Sequence, residues 1–185
     1  METISLAVER DFDHFAEEFI GWFSEQRCLV KPNVKVWLIP TRTEWRKLVS
    51  LADVVIRNKV ENKTKPQLIQ TDGLLLSQKL FIRVKEGLTP TQQKIAEKQM
   101  RAIKATVNEF FAGKDYAIFL NLQFLQQQSK HKNLQFDSLT KYVLTHELLH
   151  AFEHENNMII ITSHNDDRVS EILEKFTTAN PKWAF

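Results

Sequence analysis

Thr145-His146-Glu147-Leu148-Leu149-His150 is the stretch that decides how the rest of the chain is read. On an α-helix, positions four apart differ by about 40° in azimuth and about 6 Å along the axis. His146 and His150 can therefore aim both imidazoles at one metal ion, and Glu147 stands where it can reach water bound to that metal. The surrounding sequence supplies the helix. Leu139, Tyr142, Val143, His146, Leu149 and His150 follow the three-four spacing of one helical face. Asp137 or Ser138 is the expected N-cap. Leu144, Leu148, Ala151 and Phe152 widen the apolar surface, so the helix should be buried. Two histidines on a buried helix need partners, because an unpaired polar group there is costly. A zinc ion partners both at once; without it they read as core histidines satisfied by protein hydrogen bonds.

Composition sets the frame. With 185 residues, of which 43% are hydrophobic and 26% charged, the chain can bury the core of one domain, here taken as 1–185. Only four glycines are present, too few for a phosphate-cradling loop, which argues against a nucleotide-binding fold. A net charge of +2 makes no strong electrostatic case for nucleic acid. The basic face of Lys94, Lys98, Arg101 and Lys104 is interleaved with Glu97 and Glu109 and reads as a solvated helix surface. Cys28 is the only cysteine, so one chain can build neither a disulfide nor a thiolate zinc site. Beside Leu29 and Val30 it reads as a small core residue. No signal-peptide pattern opens the chain and no apolar run is long enough for a bilayer. The expectation is a cytoplasmic protein with no membrane partner.

Along the chain, Phe12, Phe15, Ala16, Phe19, Ile20 and Phe23 make an amphipathic helix over residues 8–26. Val34–Ile39 reads as a strand ended by Pro40. Thr41 or Thr43 then caps a helix carrying Trp45, Leu48, Leu51, Ala52, Val55 and Ile56, and residues 58–66 form a polar loop. Asp72-Gly73 between apolar runs predicts a hairpin across residues 68–84. A third helix opens at Thr89-Pro90 and closes at Gly113. Residues 116–125 are the best strand, and residues 126–135 a polar connector into the motif helix. The economical fold class is α+β: residues 1–115 supply helices and strands, and residues 116–185 supply an edge strand, the His-Glu-x-x-His helix and one further helix.

A catalytic zinc usually has three protein ligands, so a third must be found. A metzincin pattern needs Gly at 153 and His at 156; Glu153 and Asn156 stand there, which excludes it. His154 continues the motif helix but lies about 12 Å along the axis from His146, too far to share the ion. It reads as a surface residue or a support to the ligands. Beyond it, Val169, Ile172, Leu173 and Phe176 give a second helix its apolar side, and Glu171 lies off that side. Glu171 is either a solvated carboxylate or the anionic third ligand of a His₂Glu site with water in the fourth position.

The motif residues His146, Glu147 and His150, with a helix bearing Glu171 twenty-one positions past His150, resemble the gluzincin branch of the zincin metallopeptidases. The run from Thr145 to His154, with Val169-Ser-Glu-Ile-Leu and Asn180-Pro181, is most similar to small intracellular metallopeptidases of the phage, plasmid and IrrE/ImmA kind. The resemblance covers residues 116–185. It implies a zincin-like fold, Zn²⁺ as cofactor, Glu171 as third ligand and a protein or peptide substrate. Leu149, where many gluzincins have Gly, departs from it, and Glu174 sits one turn from Glu171 as a competitor. A SprT-like arrangement would instead take His164, fourteen positions past His150. The expected activity is a zinc endopeptidase with Glu147 as general base, and residues 116–125 as the cleft edge that pairs with an extended peptide. The alternative is a zincin-shaped binding or regulatory protein, its structural zinc closed by His154 or Glu174. The tail carrying Trp183 and Phe185 is expected to anchor in the core rather than fold over the cleft.

Overall fold

Three strands pair across the middle of the molecule. In the computed structural model, which describes residues 10–56, 71–78, 89, 91, 109–161 and 166–184, β1 (Val34–Ile39), β2 (Gly73–Ser77) and β3 (Tyr116–Asn121) form a mixed sheet in the order β1-β3-β2. β3 runs parallel to β1, with Val34 opposite Tyr116, and antiparallel to β2, with Gly73 opposite Leu120. The helices delimited among the described residues are α1 (Arg10–Arg27), α2 (Arg42–Ile56), α3 (Leu122–Lys132), α4 (Phe136–Asn156) and α5 (Asp166–Ala179), followed by a 3₁₀ turn at Pro181–Trp183. This is an α+β arrangement.

The period-two alternation of the strands divides the core between the two faces of the sheet. Val36, Leu38, Ile118 and Leu120 meet α1, α4 and α5. Ile39, Leu74, Leu76, Ala117 and Phe119 meet Trp45, Leu48 and Val49 of α2 together with Phe110 and Phe111. Every residue of β3 is buried, because both its edges are paired and both its faces covered. Phe176 of α5 sits among the rings of Phe15, Phe19 and Trp22, each 5.3–5.4 Å away. Truncating such a ring costs about 3–5 kcal/mol.

α1, β1, α2 and the motif helix lie where the residue pattern put them, and Thr41 Oγ1 accepts the amide of Glu44 as the expected cap of α2. Several expectations are corrected. The strand read over residues 116–125 stops at Asn121, whose side chain accepts the amide of Phe124 and starts α3. The polar connector is therefore largely helical. β3 is the central strand, so it cannot serve as a cleft edge; among the described residues β2 is the strand flanking it on the α4 side. Gly73 is not a hairpin tip but the first paired residue of β2. α4 begins at Phe136 behind Gln135, without a side-chain cap, and Asp137 instead bonds Lys141. Cys28 is exposed rather than in the core, since it follows α1 in the left-handed region at φ 54° and its side chain turns outward. The hairpin's outer parts, most of the third helix, the 58–66 loop and the Lys94, Lys98, Arg101, Lys104 face lie outside the described residues.

The C-terminal tail docks on α1. The Trp183 ring meets Phe15 edge-on at 5.4 Å, and its Nε1 donates to Glu18 Oε2 at 2.8 Å. Lys182 reaches the other oxygen of Glu18. Lys182 and Trp183 hold the Glu18 carboxyl below its ordinary value of 4.5. A depressed carboxylate stabilises the fold fully above its unfolded pKa and loses that contribution as pH falls through the folded value. The Trp183 contribution to fluorescence, taken against Trp183→Phe, should change on acidification below 4.5. Glu18→Gln should abolish that acid step.

Candidate metal centre

α4 is long enough to cross the sheet, and its apolar residues fix its roll. Leu144, Leu148, Leu149 and Phe152 are fully buried, while His146, Glu147 and His150 are half-buried. The polar triplet thus emerges at the edge of the core rather than inside it. The two imidazoles face each other with Nε2 atoms 3.1 Å apart and ring planes at 78°. Two nitrogens held at 2.0–2.1 Å from a tetrahedral zinc lie about 3.3 Å apart. The observed separation fits that geometry with a shift of a few tenths of an ångström.

His150 is held from behind. Its Nδ1 lies 2.7 Å from Glu153 Oε2, one turn further along α4. Glu153 Oε1 accepts the amides of Ile160 and Ile161, each at 2.7 Å. Burial alone would push the Glu153 carboxyl up, but His150 and these two amides together hold it below the usual carboxylate range. Being ionised, it only accepts, so His150 Nδ1 is the donor of this contact; in the neutral ring that leaves the Nε2 lone pair for a metal. That is the form in which an imidazole binds metal. Glu153 was legible in the sequence only as the residue that excludes a metzincin, because its role needs the turn after α4. Its spacing of three from His150 is the one local signal that could have found it.

Glu147 packs over the face of β2 at Gly73. A Cβ built on Gly73 would come 2.9 Å from Glu147 Oε1 and 3.0 Å from Val143 Cγ1. Any side chain at 73 would displace this carboxylate, so the first residue of β2 and the motif glutamate are packed as one unit. Next to it, burial raises the Asp72 carboxyl above its usual range, against the pull of Lys132.

The remaining candidates among the described residues are not gathered at the pair. Glu171 on α5 is half-exposed and bonded to Arg168 at 2.7 Å and Lys175 at 2.6 Å, which hold its carboxyl low. Glu174 and His154 are exposed. His164 lies outside the described residues. Among the described residues, no set of three His, Cys, Asp or Glu side chains is placed to hold a metal.

No protein-family model, curated protein or solved structure matches the chain. The resemblance to gluzincins therefore rests on the motif residues themselves. Among the described residues no helix is long and apolar enough to cross a membrane.

The Gly73–Glu147 contact is open to a double-mutant cycle. Gly73→Ala should lower stability in chemical denaturation by about 1–3 kcal/mol through overpacking. Glu147→Ala in the same background should recover part of that loss.

Proposed function

We propose that this chain is a zinc-dependent peptidase of zincin-like, gluzincin-like character. The observation that carries the reading is the facing pair of Nε2 atoms of His146 and His150, with Glu147 between them in sequence and over Gly73 of β2 in space. The donor set suits the ion: two neutral imidazoles, one of them oriented by a carboxylate. His146 and His150 are the first two ligands. The third is Glu171 on the resemblance, with His164 and Glu174 as the other candidates. Glu171 would exchange its contacts with Arg168 and Lys175 for the metal.

Zinc bound there would supply a Lewis acid and would lower the pKa of its water toward about 7. The protein's own residues do the rest. Glu147 accepts the proton of the attacking water and returns it to the leaving amine. Gly73 leaves its carboxylate room to lie over the face of β2. Substrate is an extended segment of peptide or protein laid along β2, whose outer side is covered by no strand among the described residues, because main-chain hydrogen bonds to a strand edge hold a backbone irrespective of side chains. β2 takes over the role that the sequence suggested for residues 116–125, since the central strand has no open side.

Glu147→Gln should keep about one zinc per chain and lose peptide cleavage, by at least about 100-fold for loss of a general base. Cleavage at the wild-type rate would refute the peptidase reading. A wild-type protein that retains zinc yet cleaves nothing in a proteome-derived peptide library would favour the structural-zinc alternative.

A further inference from the structure

Glu153 makes polar contacts through both its side chain and its carbonyl. Besides His150 Nδ1 and the Ile160 and Ile161 amides on its side chain, its carbonyl accepts the amides of Asn157 and Met158. The geometry has a cause in the sequence. Asn157 stands in the left-handed region at φ 54°, which ends α4 and turns the chain back on itself. The turn brings residues 160 and 161 to the end of the Glu153 side chain and sinks Ile161 into the core, while Met158 and Ile159 stay exposed. A second clamp fixes the same end of the helix: Asn156 accepts the Val30 amide at 2.8 Å and donates to the Val30 carbonyl at 3.0 Å.

The two oxygens of Glu153 thus have separate duties, one on the ring of His150 and one on the loop backbone. We propose that Glu153 is the positioning residue of the metal pair: it selects the His150 tautomer whose Nε2 can ligate, and it ties the orientation of that ring to the turn at residues 157–161. The proposal rests on reading His146 and His150 as metal ligands. It makes a demand that loop capping alone does not. A glutamine has one acceptor and one donor end. If its oxygen keeps the two amides, its NH₂ faces His150 Nδ1 and drives the proton to Nε2, which then cannot bind metal. If its oxygen keeps His150, its NH₂ confronts two donors. Either way one duty is lost.

The test combines zinc affinity, from competition with a chromophoric chelator, with the ¹⁵N-resolved tautomer of His150 in metal-free protein. Wild type should bind zinc and show the Nδ1-protonated ring. Glu153→Gln, with its circular dichroism unchanged, should lose about 10–100-fold in zinc affinity, as supports to metal-bound histidines do, and should shift the ring toward the Nε2-protonated form. Wild-type affinity in a folded Glu153→Gln protein would overturn the proposal and leave the metal site standing. Absence of zinc binding by wild type would overturn both. If Glu153→Gln does not fold, the wild-type ring decides: an Nε2-protonated His150 is incompatible with the assigned role.

Discussion

Two imidazole nitrogens 3.1 Å apart repel unless a proton or a cation lies between them. Everything around α4 keeps that pair from relaxing apart. The helix is held along its length by Leu144, Leu148, Leu149 and Phe152 in the core. Its far end is fixed by three polar contacts: Tyr116 donates to Glu155, Asn156 grips Val30, and Glu153 receives the returning loop. Burial of the Tyr116 hydroxyl, with Glu155 beside it, raises its pKa and keeps it a donor. With the helix so held, its 3.6-residue repeat puts both histidines on one face, where their rotamers bring the Nε2 atoms together.

The sheet contributes the other half of the constraint. β3 can be central only because its residues are apolar on both faces, and that displaces β2 to the flank nearest α4. Gly73 then lets helix and strand close to contact at Glu147. A larger residue would set the two elements apart, and the carboxylate would lose its fixed place over the face of β2. The position of the base is therefore a packing consequence of one missing Cβ, as much as of the motif itself.

The sequence was readable where information is local. The stripe of Phe12, Phe15, Phe19 and Phe23 declares α1, and Val34–Ile39 declares β1, because a residue's face depends only on its neighbours. The pair His146 and His150 was legible for the same reason. What failed was non-local or ambiguous. A short apolar run such as residues 116–125 fits strand and helix alike, and the break at Asn121 hangs on one side-chain hydrogen bond. Which strand is central depends on pairing between segments some forty and eighty residues apart, as in Leu75 opposite Ile118 and Val36 opposite the same residue. Glu153 was invisible because its partners Ile160 and Ile161 reach it only after the left-handed turn at Asn157. Asp72-Gly73 looked like a turn because that dipeptide usually is one; here the glycine answers to a carboxylate seventy-four residues away.

The claim on which the account turns is that His146 and His150 share one divalent cation. Anomalous difference density at the zinc absorption edge, from crystals of the zinc-loaded chain, measures this directly. The account predicts a peak about 2.0–2.1 Å from the Nε2 atoms of both His146 and His150. A zinc peak elsewhere, or two rings turned away from one another in the zinc-loaded protein, would contradict it.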